Sequence, residues 1–338
     1  MAGLLAVFTC AVGAQTPPPP DAQMKAVLDQ LAALGGKPIE TLSPVEARKQ
    51  PTPADAVKAL LKKQGKSTAP EEVGKVEDKT IAGPGGPIPL RVYTPKGTGP
   101  FPLVLYIHGG GWVIADLDTY DSSPRALANA AGAVVLSTDY RHAPEHKFPA
   151  AHEDVFAAYQ WMLKNAGTLQ GDASRAAVVG ESAGGNIAIG ICLMARDNGI
   201  QMPSYQVLVY PVAQTGFDTP SYKENADAKP LNRAMMQWFF KHTAQNSADS
   251  KNPLLALTTV ANLKGLPPAT VITAQIDPLR SEGKDLADKL KAAGVPVVYQ
   301  NFDGVTHEFF GMGAVVDKAK EAEQLAADGL KKGYAKSK

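Results

Sequence analysis

Short, nearly continuous apolar runs dominate the pattern of hydrophobic and polar positions in the central part of the chain. The six runs are Leu103 to Ile107, Ala133 to Leu136, Ala176 to Val179, Val207 to Tyr210, Val271 to Ala274 and Val297 to Tyr299. Runs of this kind are typical of strands buried on both faces of a parallel sheet. Amphipathic helical stretches lie between several of them, at Pro149 to Leu163 and Lys284 to Ala293. This alternation predicts an α/β fold with helices on both sides of the sheet.

The chain before these runs has a different pattern. Val76 to Ile81 and Leu90 to Tyr93 lie on either side of a turn-rich segment, which predicts an antiparallel pair of strands. Further upstream, Ala22 to Ala33 and Ala54 to Leu61 have helical periodicity. We interpret them as a small N-terminal helical piece and not as an independent domain. Together with the six runs, the strand pair predicts a mostly parallel sheet of eight strands.

One connection between predicted strands is unusually long. Residues 211–270 separate two of the apolar runs, and the helical, aromatic-rich stretch Asn232 to Thr243 lies inside this connection. A long excursion from an α/β sheet is often a lid or part of a substrate pocket. We therefore expect a helical cap insertion at about residues 213–262, packed with the N-terminal helices over the carboxyl edge of the sheet.

Charge balance excludes some classes of partner. The 338 residues include 34 basic and 33 acidic side chains, which gives a net charge of +1. A chain with this balance has no basic field to attract nucleic acid or an anionic membrane. We predict neither partner.

The start of the chain resembles a secretory leader. Leu4 to Val12 is an apolar run too short to span a bilayer, and small residues and four prolines follow it. We predict a signal peptide at residues 1–14, a linker and cap helices at 15–75, and the catalytic domain at 76–338. No Lys or Arg precedes the apolar run. The expected location is periplasmic or secreted, and cytoplasmic if this interpretation of the leader is wrong.

The candidate chemistry begins at Gly180 to Gly184, whose sequence Gly-Glu-Ser-Ala-Gly fits the pattern G-x-S-x-G. A predicted strand precedes it and a helix rich in small residues follows, which is the context of a nucleophile elbow. A serine hydroxyl is a weak nucleophile and needs a base, commonly an imidazole oriented by a carboxylate. We predict Ser182 as the nucleophile, and the alternative is a serine that caps a glycine-rich helix.

Two later residues fit the base and its carboxylate. In this type of fold the chain order is serine, then Asp or Glu, then histidine. His307 follows the last predicted strand and Asp277 follows the strand before it, whereas His242 lies on the aromatic-rich helix. Loops at the carboxyl ends of strands converge on one site, which favours His307 and Asp277. The alternatives are a surface histidine and a helix-capping aspartate.

A glycine-rich loop after another core strand predicts an oxyanion hole. The segment His108 to Trp112 reads His-Gly-Gly-Gly-Trp, and glycines leave backbone N–H groups free to point at a substrate oxygen. We predict the N–H groups of Gly110, Gly111 and Ala183 as donors and a structural role for His108. No metal-ligand spacing is found in the sequence. His142 and His146 are four residues apart, but Pro144 between them argues against a helix that would present both on one face. The predicted reaction needs no cofactor or metal.

These motifs together resemble the hormone-sensitive-lipase family of α/β-hydrolases, in its bacterial carboxylesterase branch. The resemblance extends from about Val76 to the C-terminus. The matching segments are His108 to Trp112, Asp139-Tyr140-Arg141, Ala143-Pro144-Glu145, Glu153-Asp154, Gly180 to Asn186, Asp277-Pro278-Leu279 and His307. It implies an α/β-hydrolase fold with a two-part helical cap, and it implies the same triad and oxyanion residues.

Three positions depart from the pattern that the resemblance implies. Glu181 stands where aspartate is more frequent, and Glu308 follows His307 where glycine is usual. His142 stands where an apolar residue is common. We expect Glu308 to alter either the pocket wall or the environment of the base.

The resulting prediction is a serine carboxylesterase that hydrolyses short-chain acyl esters through an acyl-enzyme intermediate on Ser182. Its expected partner is a small-molecule ester, and the resemblance also suggests a homodimer formed through edge strands. One alternative is a small-molecule receptor on the same scaffold, although such receptors resemble this family without its histidine base. The other alternative is an amidase or a polysaccharide deacetylase.

Overall fold

An eight-stranded, mostly parallel sheet forms the centre of the protein, in the spatial order β1-β2-β4-β3-β5-β6-β7-β8. The strands are β1 (Lys75–Gly83), β2 (Gly86–Thr94), β3 (Phe101–Ile107), β4 (Val134–Thr138), β5 (Gly171–Glu181), β6 (Gln206–Val209), β7 (Ala269–Ile276) and β8 (Val297–Thr306). Only the β1–β2 and β2–β4 pairs are antiparallel. The sheet predicted from the apolar runs is confirmed.

The computed structural model describes residues 18–335. The predicted signal peptide and most of the proline-rich linker therefore lie outside the described residues. Within residues 18–335, none of the helices has the length and apolarity needed to cross a bilayer. The domain boundaries and the homodimer stay predictions.

Burial on both faces explains the unbroken apolar run of β3. Leu103, Leu105 and Ile107 pack into one core cluster, while Val104 and Tyr106 pack into the cluster on the opposite face. Successive side chains of a strand point to opposite faces, so a strand covered on both sides needs apolar residues at every position. This double burial fixes the carboxyl end of β3, from which the glycine-rich loop begins.

Ten α-helices surround the sheet in residues 18–335. They are α1 (Ala22–Ala33), α2 (Pro44–Ala47), α3 (Pro53–Lys63), α4 (Ser122–Ala131), α5 (Ala150–Lys164), α6 (Ala183–Asp197), α7 (Pro220–Glu224), α8 (Arg233–Thr243), α9 (Arg280–Ala292) and α10 (Asp317–Ala335). Helices α5, α6 and α9 cover one face of the sheet, and α4 and α10 cover the other.

The long insertion and the N-terminal segment meet above the carboxyl ends of the strands. The Trp238 indole on α8 donates a hydrogen bond to the Leu42 carbonyl at 3.1 Å. The Asn232 side chain, at the start of α8, donates to a Glu40 carboxylate oxygen at 3.1 Å. These contacts join the two parts into one cap over the sheet, and a pocket lies between the cap and the strand ends.

A buried carboxylate on α10 makes the stability of the fold depend on pH. Burial raises the pKa of Glu323 to about 8, with further raising by the charge of Glu71. The folded protein then holds a proton at neutral pH that the unfolded chain releases near its ordinary pKa of 4.5. Because the native state binds more protons in this window, the free energy of unfolding falls as pH rises from about 5 to 8.

Replacing Glu323 by glutamine removes this dependence. We expect Glu323→Gln to raise the free energy of unfolding at pH 8, by on the order of 4 kcal/mol, and to raise it less at pH 5.5. Urea unfolding at the two pH values measures the change. Glu321→Gln, an exposed neighbour on α10, is the matched control. Equal effects of both substitutions at both pH values would contradict the assignment.

Candidate active site

Ser182 occupies a sharp turn between β5 and α6. Its backbone has φ +58° and ψ −119°, a conformation that costs energy for any residue with a side chain. The flanking glycines allow this turn. A Cβ added to Gly180 would lie 2.1 Å from the Gly184 carbonyl oxygen, and one added to Gly184 would lie 2.1 Å from the Ile107 carbonyl oxygen. The local sequence therefore sets the serine at the carboxyl end of the sheet.

The structure brings together all three residues of the predicted triad. The His307 Nε2 atom lies 2.9 Å from Ser182 Oγ, and Nδ1 lies 2.7 Å from Asp277 Oδ2. The other Asp277 carboxylate oxygen accepts the Leu279 backbone N–H at 2.8 Å, which fixes the carboxylate. Asp277 and His307 are buried. His242, in contrast, lies on the cap helix α8 and packs against the Trp238 ring.

Opposing effects act on the His307 imidazole. Burial lowers its pKa, but the negative charge of Asp277, followed by those of Glu308 and Glu181, raises it. The net effect is a pKa above the ordinary value. The Tyr210 ring packs on the imidazole with its centroid at 4.4 Å. The site therefore favours the protonated imidazole more than a solvated histidine would.

The predicted oxyanion loop curls into the same pocket. Gly110 and Gly111 have φ of +88° and +59°, and an added Cβ would lie 2.1 Å from the Ile114 carbonyl oxygen or 2.2 Å from the Phe239 ring. Both glycines line the pocket that Ser182 and His307 open into. Ala183 is the first residue of α6, where a backbone N–H has no intrahelical acceptor.

Tyr140 supports this loop through hydrogen bonds to its backbone, a role that the sequence did not predict. Its hydroxyl oxygen lies 3.0 Å from the carbonyl oxygens of both His108 and Gly109, which share its one hydrogen. The ring of Tyr140 stacks on that of His108 with centroids 4.5 Å apart. The only signal in the sequence was the position of Tyr140 inside a motif shared with the resembling family. These contacts hold His108 within the loop.

A mostly apolar cavity of about 530 Å³ opens from the serine toward the cap. Its apolar wall comes from the N-terminal segment and from the insertion, and it includes Leu28, Leu31, Ile39, Leu231, Met235 and Phe239. Small-molecule sites commonly combine an apolar wall with a few convergent polar groups. Here the polar groups lie at the floor, where the serine, the imidazole and the glycine-rich loop meet.

Glu308 affects both the pocket wall and the base. Its carboxylate accepts from the Tyr120 hydroxyl at 2.7 Å, lines the cavity and lies 3.7 Å from His307 Nε2. Its φ of +70° lies in the left-handed region, which suits glycine and strains a glutamate. Burial raises the pKa of Glu308. The sequence flagged this residue, but its partner Tyr120 lies far away along the chain and carried no signal.

Glu181 forms a second buried carboxylate beneath the turn. It accepts hydrogen bonds from the hydroxyls of Tyr106, at 2.5 Å, and Tyr210. Burial, followed by the charge of Glu308, raises its pKa to about 7. Since Tyr210 also packs on His307, this carboxylate links the strands β3, β5 and β6 to the base.

The fold and the site together define a serine hydrolase of the α/β-hydrolase class. A sequence model of the family described as alpha/beta hydrolase fold matches residues 104–311. The carboxylesterase NlhH of Mycobacterium tuberculosis is 39% identical over 289 residues, which are 83% of this chain and 91% of that protein. The chain belongs to the hormone-sensitive-lipase family of α/β-hydrolases.

Further relatives indicate which type of bond the enzyme hydrolyses. The ethyl acetate hydrolase of Pseudomonas putida is 32% identical over 87% of this chain and 91% of its own length. A hyperthermophilic esterase structure from the archaeon Pyrobaculum calidifontis matches with a TM-score of 0.84 at 39% identity, covering 93% of this chain and 99% of that one. The chain is a carboxylic ester hydrolase, as the sequence predicts.

Proposed function

We propose that the protein hydrolyses short-chain acyl esters through an acyl-enzyme intermediate on Ser182. The observation that carries the proposal is the chain of hydrogen bonds from Asp277 through His307 to Ser182, which ends at the floor of the cavity. Ser182 Oγ attacks the ester carbonyl while His307 Nε2 accepts its proton. The oxyanion of the tetrahedral intermediate accepts hydrogen bonds from the N–H groups of Gly110, Gly111 and Ala183.

The second half of the cycle uses the same groups in reverse roles. The protonated imidazole of His307 gives its proton to the leaving alkoxide, and the Asp277 carboxylate stabilises the imidazolium until then. Water enters the vacated side of the cavity, loses a proton to His307 and attacks the acyl-enzyme. The acid product leaves when Ser182 recovers its proton. No step requires a group from outside the chain other than water.

The size of the cavity supports a short acyl chain. Its volume of about 530 Å³ lies in the lower half of the range for small-molecule sites, and it must hold both halves of the ester. A panel of p-nitrophenyl esters from acetate to palmitate tests this. An optimum at hexanoate or shorter supports the proposal, and an optimum at laurate or palmitate contradicts it. p-Nitroacetanilide in the same panel measures amidase activity.

A receptor on the same scaffold would bind its ligand without turnover. The bond between His307 Nε2 and Ser182 Oγ argues against that role, because a binding site has no need of an activated nucleophile. We expect a fluorophosphonate probe to label Ser182 covalently. Absence of labelling in the folded protein would favour the receptor.

The carboxylate of Glu308 shifts the pH dependence of this reaction. His307 acts as a base only when it is neutral, so kcat/KM falls as pH falls through its pKa. The charge of Glu308 is one of the causes that raise this pKa. We expect Glu308→Gln, which keeps an oxygen for the Tyr120 hydroxyl, to move the acid limb of the kcat/KM profile to lower pH.

Profiles of p-nitrophenyl acetate hydrolysis for the wild type, Glu308→Gln and Glu321→Gln measure this shift. Glu321 is exposed on α10 and does not line the cavity, so its substitution controls for the loss of one negative charge. An acid limb that stays in place in Glu308→Gln, or moves equally in Glu321→Gln, contradicts the assigned effect.

We also propose that the protein is exported. The apolar run Leu4 to Val12, the small residues after it and the prolines Pro17 to Pro20 support a cleaved leader. Expression of the full chain in a bacterium, followed by fractionation and N-terminal sequencing, tests this proposal. A mature protein that begins near Gln15 in the periplasm or medium supports it, and an intact Met1 or a cytoplasmic pool contradicts it.

A further inference from the structure

A cluster of potential metal ligands lies behind the oxyanion loop. His108 follows β3, while Asp139 and His142 follow β4, and the two strands are paired in parallel, so their carboxyl ends are adjacent. One imidazole nitrogen from each histidine and one carboxylate oxygen lie within 4.8 Å of one another. The distance from His108 Nε2 to Asp139 Oδ1 is 3.8 Å. These residues belong to neither the triad nor the predicted oxyanion donors.

The tautomer of the neutral His108 ring follows from the one hydrogen bond that its side chain makes within residues 18–335. Its Nδ1 lies 3.0 Å from the Gly109 carbonyl oxygen, which can only accept, so Nδ1 carries the hydrogen. In the neutral ring, Nε2 then carries a lone pair and no proton. This lone pair is fully buried and has no hydrogen-bond partner within residues 18–335. His108 therefore offers a free nitrogen ligand that its own backbone contact holds in the correct tautomer.

The other two members of the cluster are one buried imidazole and one partly exposed carboxylate. His142 Nε2 is buried, and it too has no hydrogen-bond partner in the described chain. No side-chain hydrogen bond to the Asp139 carboxylate is found within residues 18–335, and about a third of this side chain is exposed, at 31%. Buried polar atoms without partners cost free energy and are rare in folded proteins. Both histidines therefore have an unpaired buried nitrogen, and the two rings and the Asp139 carboxylate are close enough together to share one ligand.

We propose that His108, Asp139 and His142 bind a zinc ion, with water in the fourth coordination position. Two imidazoles and one carboxylate form a ligand set that Zn²⁺ takes up in tetrahedral sites with one open position. Nitrogen ligands favour Zn²⁺ over Mg²⁺ and Ca²⁺, which prefer oxygen. The partly exposed carboxylate of Asp139 can rotate to close the ligand distances, and it lies where an ion can enter from solvent.

Charged groups of both signs lie near the cluster. The Asp116 carboxylate interacts favourably with both histidines in their charged forms, so it also favours a bound cation. The nearby Arg48 guanidinium opposes a cation, but it is paired with Glu145 at 2.6 Å. Asp116 is therefore the neighbouring group that favours a bound cation.

A bound ion would act on the oxyanion loop without taking part in the reaction. It would hold His108 from the side opposite Gly109, and Tyr140 already fixes the carbonyl oxygens of both residues. Because the ion binds only the folded chain, it would raise the melting temperature in proportion to the logarithm of its concentration. This inference does not depend on the proposed ester substrate.

Isothermal titration calorimetry of metal-free, full-length protein with zinc chloride tests the site, because it measures both the stoichiometry and the affinity of binding. The protein is first inhibited with a fluorophosphonate, which keeps the ion away from His307. We expect one equivalent to bind the wild type and His146→Leu, in which an exposed histidine outside the cluster is removed. We expect the affinity to fall at least about tenfold in His142→Leu and in Asp139→Asn.

Two further observations make the test decisive. Co²⁺ in place of Zn²⁺ should give the intense visible bands of a tetrahedral site in the wild type and lose them in His142→Leu. Hydrolysis of p-nitrophenyl acetate before inhibition shows that each variant is folded, and Asp139→Asn serves if His142→Leu is not. Equal affinity in the wild type and both cluster variants overturns the proposal, as does the absence of a one-equivalent site.

Discussion

Replacing Ser182 by alanine removes hydrolysis of p-nitrophenyl acetate while the fold stays intact. The Ser182 Oγ is the atom that His307 Nε2 contacts, and no other hydroxyl bonds to that nitrogen in residues 18–335. Without it, neither the acyl-enzyme nor the proton transfer can form. We expect kcat to fall by about 10⁵- to 10⁶-fold, the size of loss typical when a serine nucleophile is removed.

The fold is expected to survive this change for a local reason. Alanine lacks only the hydroxyl, and it faces the same positive φ of +58° that serine already tolerates. Ser247→Ala, at an exposed position away from the cavity, is the matched control and keeps wild-type turnover. Circular dichroism and the urea midpoint establish that Ser182→Ala is folded. Turnover within tenfold of wild type would remove Ser182 from the mechanism.

The continuous apolar runs made most of the fold predictable from the sequence. The strand β3 was predictable because burial on both faces demands an apolar residue at every position, as its two core clusters show. The helix α10 was missed for the opposite reason. Its buried face is made largely of alanines, among them Ala319, Ala322, Ala326 and Ala327, which pack closely but give little contrast in hydrophobicity.

The triad was predictable because its chemistry constrains both residue type and chain order. A serine at a strand-to-helix turn needs a histidine and a carboxylate at later strand ends, and few residues satisfy this order. Glu308 and His142 are different. Their significance depends on Tyr120 and His108, which are distant along the chain and meet them only in the folded protein. Spacing along the chain contains no information about such contacts.

Electrostatics around the base depends on more than Asp277. Glu308 and Glu181 also raise the pKa of His307, and both are held by tyrosine hydroxyls. The site thus surrounds one imidazole with three carboxyl groups, only one of which accepts its Nδ1 hydrogen. Asp277 bonds to Nδ1 of the imidazole, whereas Glu308 lies 3.7 Å from Nε2. We therefore expect substitution of Asp277 to change the tautomer and substitution of Glu308 to change the pH dependence.

Asp277→Asn tests whether Asp277 sets the tautomer of His307, because asparagine has nearly the same shape as aspartate. In the wild type, one carboxylate oxygen accepts the Leu279 N–H at 2.8 Å and the other accepts the His307 Nδ1 hydrogen at 2.7 Å. In the variant, the amide oxygen keeps the bond from Leu279, so the amide NH₂ faces Nδ1. Since that group only donates, Nδ1 must accept, and the imidazole proton moves to Nε2. His307 can then no longer accept the proton of Ser182.

We expect this change of tautomer to lower kcat far more than the loss of a surface charge does. We expect Asp277→Asn to lower kcat for p-nitrophenyl acetate by about 10⁴-fold, with little change in KM because the cavity wall is untouched. Asp288→Asn on α9 removes an exposed carboxylate paired with Lys284 and is expected to keep full activity. Labelling by the fluorophosphonate slows in parallel with kcat, because both reactions need the same activated oxygen. A variant that retains a tenth or more of wild-type kcat would show that Asp277 does not fix the tautomer, and Glu308, 3.7 Å from Nε2, would then be the next carboxylate to replace.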